Sequence, residues 1–186
     1  ADFISALSSI DSLENKIIFL DYLLNALYEN SIDPKLYPDL GSSDPWGRIF
    51  LYSKTYNGVF IYENSYSNIL PFIDFSKYDN TFNCFIDMAS NQDGNLAMLS
   101  CDGTFYEYNQ NGKRRMYYQV NLDNAEFLIS LRDDWLIFNR DGVGLSINTG
   151  LSFSIPKSSI PILDAQSLNK DIAILTKDHI LILNVQ

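Results

Sequence analysis

Histidine and cysteine are scarce in this chain of 186 residues, which has one histidine, His179, and two cysteines, Cys84 and Cys101. One histidine cannot build a histidine-rich metal site, and it leaves no second base for a serine or cysteine triad. The cysteines lack a C-x-x-C spacing, so two buried thiols are the favoured prediction and a single Cys84–Cys101 disulfide is the alternative. We therefore predict no catalytic residue, no metal and no cofactor, and we place His179 in a turn.

Long apolar runs and nucleotide-binding motifs are also missing. No stretch of 18 apolar residues occurs, and no basic segment followed by an apolar one opens the sequence, so neither a membrane span nor a signal peptide is expected. There is no P-loop and no G-x-G-x-x-G motif. These absences predict a cytoplasmic protein that is not an enzyme.

Positive charge is the third deficit, because 13 Lys and Arg face 23 Asp and Glu, for a net charge of −10. Phosphate backbones and anionic lipid surfaces repel such a polyanion, so nucleic-acid and membrane binding are not expected. The basic run at 113–115 is predicted to be a turn followed by the start of a strand. A basic protein is the natural complement of this charge.

Residues 1–45 are predicted to form a helical segment and a linker. Five apolar residues recur at spacings of three and four, which is typical of an amphipathic helix: Leu13, Ile17, Leu20, Leu24 and Leu27. Asp11 and Glu14 resemble the start of a capping box. Pro34, Pro38 and Pro45 then predict a linker, because proline cannot continue a helix.

Residues 46–186 carry an internal repeat of four hairpins, which makes this range the predicted β-repeat domain. Each hairpin joins two apolar strands through a short turn at Asn57-Gly58, Asp102-Gly103, Asp141-Gly142 or Asp178-His179. The strand pairs are 49–52 with 59–62, 96–99 with 104–108, 135–138 with 143–147, and 172–175 with 180–183. Flanking strands at 84–88, 116–120, 126–130 and 151–155 complete two four-stranded meanders, while the first unit lacks a leading strand and the last lacks a trailing one.

The turns are 37 to 45 residues apart, and the stretch from Ile86 to Asn109 resembles a β-propeller blade. The predicted fold is therefore mainly β with an N-terminal helical segment, built from antiparallel four-stranded meanders as a small or incomplete β-propeller. A β-sandwich made from the same hairpins is the alternative.

In a propeller, the turns inside the hairpins lie at the same edge as the connections between blades. We predict that this edge gathers carboxylates and tyrosines for binding a partner, namely Asp74, Asp79, Asp102, Asp123, Asp141, Asp178, Tyr56 and Tyr78. The adjacent Asp133 and Asp134 are predicted to be a solvated loop pair. Asp87, inside an apolar strand, is predicted to accept a hydrogen bond from a neighbouring blade.

The overall profile resembles that of bacterial immunity proteins, which are small, acidic and bind toxins. The resemblance implies a cytoplasmic, monomeric, non-catalytic protein-binding module that occludes a basic toxin, in particular a nuclease, through its acidic face. Two alternatives stay open: a carboxylate-dependent glycosidase on a propeller, and a structural adaptor that docks through its N-terminal helix.

Overall fold

The computed structural model describes residues 4–6, 16–20, 25–33, 36–63, 68–78, 84–156, 161–168 and 170–184. Within these ranges the chain forms 18 strands in five antiparallel sheets, each ordered as a simple meander. The chain divides into two compact units, residues 1–83 and 84–186. The two units are described in turn.

The first unit contains two sheets. Sheet I comprises β1 (Ile4–Ala6), β2 (Lys16–Leu20) and β3 (Ala26–Ser31). Sheet II comprises β4 (Leu40–Ser43), β5 (Ile49–Ser53), β6 (Gly58–Tyr62) and β7 (Leu70–Asp74), followed by one 3₁₀ turn at Phe75–Lys77. Its core combines Ile17 with Ile49, Leu51 and Tyr62.

The second unit contains three sheets. Sheet III comprises β8 (Phe85–Ser90), β9 (Leu96–Ser100), β10 (Thr104–Tyr108) and β11 (Arg114–Gln119). Sheet IV comprises β12 (Phe127–Leu131), β13 (Asp134–Phe138), β14 (Val143–Ser146) and β15 (Ser152–Ser154). Sheet V comprises β16 (Asp164–Leu168), β17 (Asp171–Leu175) and β18 (Ile180–Asn184).

Sheets III, IV and V pack face to face in chain order. One apolar cluster joins sheet III to sheet IV through Phe105 and Trp135, and a second joins sheet IV to sheet V through Phe138 and Ile172. Every residue of β9, β10 and β12 is buried. The fourth strands β11 and β15 have mostly exposed residues, as expected of edge strands.

A recurring turn closes four of the connections between strands. The first residue of the turn is Asp or Asn, and its side chain accepts hydrogen bonds from the backbone N–H groups two and four residues later. The third residue after it is a glycine with positive φ. This is a three-residue hairpin loop with a left-handed last residue. The four copies begin at Asp44, Asn91, Asn109 and Asn139.

The hairpin prediction is confirmed, since the four predicted pairs are β5–β6, β9–β10, β13–β14 and β17–β18. The turns do not all share one backbone conformation. In the turns at Gly103 and Gly142 only the glycine has positive φ, and at 57–58 it is Asn57 instead. The flanking strands are also confirmed, and sheet V has no fourth strand among the described residues.

The predicted N-terminal helix is wrong, because no α-helix occurs among the described residues. Ile17 and Leu20 lie in β2 and Leu27 lies in β3, whereas Leu13 and Leu24, like Asp11 and Glu14, fall outside the described residues. Ile17 is 1% exposed and packs against strands of sheet II, so tertiary burial of a consecutive apolar run prevails over the spacing of three and four. The first hairpin also has a leading strand, β4, which lies in the predicted linker.

The two cysteines form a disulfide, contrary to the favoured prediction of free thiols. Cys84 and Cys101 extend β8 and β9, with the Cys101 N–H donating to the Cys84 carbonyl at 3.0 Å and the Cα atoms 5.5 Å apart. Directly opposed residues at this separation fit the geometry of a disulfide.

Candidate functional site

The loops of the second unit sort onto two edges. At one edge, the Val120 N–H donates to the Gly103 carbonyl at 2.9 Å, and the Asn139 side-chain amide donates to the Asp123 carbonyl at 3.1 Å. At the same edge, the Ile155 N–H donates to the Gly142 carbonyl at 2.7 Å. The hairpin turns and the connections between sheets therefore share this edge.

Four of the predicted partner-binding residues lie at this edge and are exposed, and we call them the acidic edge: Asp102, Asp123, Asp141 and Asp178. Asp102 also has a local role, because its carboxylate accepts hydrogen bonds from the Ser100 hydroxyl and the Thr104 N–H. These hydrogen bonds, led by the one from Ser100, lower the pKa of Asp102.

The first unit holds the other predicted residues. Asp74 caps the 3₁₀ turn by accepting from the Ser76 N–H and hydroxyl, and the hydroxyl hydrogen bond is the main cause of its lowered pKa. Tyr56 is 47% exposed and packs edge-on against Phe60, with ring centroids 5.8 Å apart. Tyr78 is half-buried at the end of the 3₁₀ turn, and Asp79 lies outside the described residues.

Basic residues also occur near the acidic edge. Arg140 forms a bidentate ion pair with Glu126, with both N–O distances 2.7 Å, and the hydrogen bond with Glu126 raises the pKa of Arg140. That ion pair is internally neutral, and the exposed Lys177 is one cation beside four exposed aspartates, so the local charge is negative. His179 lies in the β17–β18 turn, where its carbonyl accepts from Thr176, which confirms its assignment as a turn residue.

Asp87 makes the predicted hydrogen bond between blades. Its Oδ2 accepts from the Leu128 N–H on β12 at 2.7 Å, and its Oδ1 accepts from the Met88 N–H at 2.8 Å. Burial raises the pKa of Asp87 to about 7 against the lowering effect of these two hydrogen bonds, and the nearby Asp164 raises it further.

Asp133 and Asp134 differ from each other. Asp133 is exposed in the β12–β13 turn, as predicted, whereas Asp134 begins β13 and accepts hydrogen bonds from the Ser146 hydroxyl and from the N–H groups of Trp135 and Asn148. The two neighbouring carboxylates therefore differ in environment, since one is exposed and the other is held by three hydrogen bonds. Among the described residues, no group of three or more His, Cys, Asp and Glu side chains could hold a metal ion.

The basic run follows its predicted structure, because Lys113 closes a turn and Arg114 begins β11. The Arg115 guanidinium pairs with the Glu107 carboxylate at 2.9 Å, and the Arg114 guanidinium lies 4.7 Å from the Tyr117 ring centroid. The run is thus engaged with its own sheet. No helix among the described residues is long and apolar enough to cross a membrane.

Sequence reasoning missed a groove between sheets IV and V with a volume of about 820 Å³. Leu136, Phe153, Ile155, Ile172 and Ile182 line its apolar part, and a polar mouth is formed at Arg132, Asp133 and Asn148. The mouth lies at the edge opposite the acidic edge, since it is built from the β12–β13 and β14–β15 turns. The sequence carried no direct signal for the groove, although the aligned hairpins place Ile172 where the preceding repeat has Trp135.

No family model and no curated protein matches the sequence. Solved structures do match. Virginiamycin B lyase from Staphylococcus aureus matches over 92% of this chain and 64% of its own length, with 12% identity and a TM-score of 0.59. A chain of the nidogen/laminin complex matches over 91% and 67%, with 12% identity and a TM-score of 0.65. YCF48 bound to D1 peptide matches over 97% and 68%, with 10% identity and a TM-score of 0.63.

These identities show the fold alone, and the chain spans about half to two thirds of the length of the solved chains it matches. The prediction that the chain is not an enzyme, which was made from missing motifs, is contradicted, because the matching folds include that of a lyase. The likeness gives this chain no particular activity. The chain has the fold of β-propeller proteins, a group that includes both an enzyme and proteins solved with bound partners.

Proposed function

We propose that this chain is a β-propeller segment that binds a basic protein partner through the acidic edge. The observation that carries the proposal is the convergence of four exposed aspartates from three sheets on one edge of the second unit. Separated loops held at one edge by a rigid sheet framework are a common way to build a binding surface. Carboxylates there would accelerate association with a basic surface and would make that association sensitive to salt.

Two of the matching structures support partner binding at the level of the fold, because one is a nidogen/laminin complex and the other is YCF48 bound to D1 peptide. The sequence profile refines the proposal to an immunity protein that occludes a basic toxin, such as a nuclease, in the cytoplasm. The support for that refinement is the net charge of −10 and the acidic edge.

The chain offers a matched pair of residues for the test. Asp141 and Asp93 occupy the same position of the recurring turn, and the N–H of each donates to the Asn side chain that opens the turn. Both are exposed, but Asp141 lies at the acidic edge and Asp93 at the opposite edge. Asp141→Lys and Asp93→Lys therefore change the net charge equally in equivalent local structures.

The experiment captures partners from source-cell lysate on the immobilised protein, identifies them and measures association rates at low and high salt. We expect Asp141→Lys to slow association with a basic partner about threefold or more at low salt, while Asp93→Lys has a smaller effect. Equal slowing by the two variants would mean that net charge alone matters and would refute binding at the acidic edge. If the partner is a toxin, its inhibition should weaken in parallel with binding.

A further inference from the structure

The interface between sheets IV and V differs from its sibling between sheets III and IV at two aromatic positions. Between sheets III and IV, Phe105 of β10 packs against Trp135 of β13, with ring centroids 6.2 Å apart. Phe105 pairs with Tyr118 across β10–β11, and the residue in the same register of sheet IV is Gly144, which pairs with Phe153.

The second replacement lies on sheet V. Trp135 pairs with Ser130 across β12–β13, next to the Leu131–Asp134 pair that ends the ladder. In sheet V, Ile172 pairs with Ser167, next to the Leu168–Asp171 pair, so Ile172 occupies the register position of Trp135. A glycine and an isoleucine thus stand where the sibling interface has phenylalanine and tryptophan.

Phe153 fills part of the vacated space, namely the part directly above Gly144. A Cβ placed on Gly144 would lie 2.3 to 2.7 Å from three atoms of the Phe153 ring, so the ring lies directly over the glycine on its own sheet. The same ring packs edge-on against Phe138, with centroids 6.2 Å apart. Phe153 therefore forms one wall of the groove, and Ile172 and Ile182 of sheet V line it as well.

The mouth of the groove has an excess of negative charge. Asp133 and Asp134 contribute two carboxylates and Arg132 one guanidinium. Asp134 is held by the Ser146 hydroxyl and two N–H groups, whereas Asp133 is exposed and binds Asn148 through its backbone carbonyl rather than its carboxylate. A cationic group at the mouth of the apolar groove can therefore pair with the Asp133 carboxylate.

We propose that this groove binds a small aromatic compound that carries a cationic group, with the ring beside Phe153 and Ile172, where the sibling interface has Trp135. A volume of about 820 Å³ falls within the range of small-molecule sites, which are mostly apolar with a few polar groups that orient the ligand. This site is separate from the acidic edge, so either proposal can fail without the other.

The test uses tryptamine, its neutral isostere tryptophol and the ring-free cation ethylamine, with binding to the whole chain followed by amide chemical shifts in NMR. We expect tryptamine to bind with a submillimolar Kd and to shift the Gly144, Asn148 and Leu183 amides. Tryptophol should bind about two- to fivefold more weakly, as for an exposed ion pair, and ethylamine should not bind. Absence of tryptamine binding, or binding elsewhere on the chain, would overturn the proposal.

Two variants locate the site. Ile172→Trp transfers the residue that fills the sibling interface and should weaken tryptamine binding at least tenfold, whereas Leu168→Trp, an exposed position of sheet V outside the groove, should not. Asp133→Asn changes an exposed side chain and so requires no repacking of the core. This variant should bind tryptamine only as tightly as the wild type binds tryptophol, and its affinity for tryptophol should be unchanged. Unchanged tryptamine affinity in Asp133→Asn, or in folded Ile172→Trp, would refute the assignment.

Discussion

The Asp87 carboxylate on β8 accepts a hydrogen bond from the Leu128 N–H on β12 at 2.7 Å, which ties sheet III to sheet IV through a half-buried ionisable group. Its other oxygen accepts from the Met88 N–H at 2.8 Å. Both donors favour the ionised form, yet burial prevails and raises the pKa to about 7. One side chain therefore couples the packing of two blades to pH.

The first prediction concerns this pH dependence. The unfolded carboxyl has its usual pKa of 3.8 and the folded one a pKa of about 7, so between these values the folded state binds the extra proton. Stability from this group is therefore fully present below pH 4 and is lost as pH rises to 7, by about 1.4 kcal/mol per pH unit at most. Urea unfolding of the wild type and of Asp87→Asn at pH 5 and pH 8 checks this.

Other carboxylates titrate in the same range, so the relevant quantity is the difference between the two proteins. The stability of the wild type relative to Asp87→Asn should be greater at pH 5 than at pH 8. Asp93→Asn, at an exposed turn, serves as the control and should show no such change. A difference that is constant with pH, or that grows towards pH 8, would contradict the raised pKa.

The second prediction concerns the recurring turn. The Asn139 side chain accepts from the N–H groups of Asp141 and Val143 and donates to the Asp123 carbonyl. Asn139→Ala removes all three hydrogen bonds of this buried side chain, and it should lower the free energy of unfolding by about 1 to 3 kcal/mol. Asn111→Ala, at an exposed position inside a sibling turn, should cost much less. Equal losses in urea unfolding would mean that the capping contacts contribute little.

Sequence predicted the part of the fold in which local chemistry and tertiary burial agree. Apolar runs on both sides of short polar turns located the central hairpins, and the Asp87 hydrogen bond followed from a carboxylate inside an apolar strand. The run Ile17–Leu20 was misread because apolar spacing in a short window fits both a helix and a strand, and only packing against sheet II decides between them. The strand β4 was hidden by the surrounding prolines and by Gly41.

The candidate sites show the same limit. The acidic edge could be placed once the hairpins were aligned, because loop order fixes which turns share an edge. The spacing of Asn or Asp three residues before glycine recurs in the sequence and could have indicated the shared turn. The groove depends on which residues oppose each other across strands, and therefore on register, which the sequence alone does not supply.

The third prediction concerns the disulfide, whose cysteines are 17 residues apart in sequence. The chain-entropy model gives about 3 kcal/mol for closing a loop of this size. Protein made under oxidising conditions should show no free thiol after denaturation, and reduction should lower its unfolding free energy by about that amount. The double variant Cys84→Ser/Cys101→Ser should match the reduced protein and be insensitive to reductant. Two titratable thiols in the untreated protein would restore the favoured sequence prediction of free cysteines.

The fourth prediction concerns Gly144 and the aromatic ring above it. In Gly144→Ala the new methyl group must displace the Phe153 ring, whose nearest atom is 2.3 Å from the Cβ position. Overpacking of this kind typically costs about 1 to 3 kcal/mol. In a Phe153→Ala background the obstacle is absent, so the same change should cost less than about 1 kcal/mol, or even stabilise strand β14. Thermal and urea unfolding of the four proteins gives the coupling energy between the two sites. If the two changes are additive, the ring does not lie over the glycine in solution, and the wall of the groove that Phe153 provides would have to be reassigned.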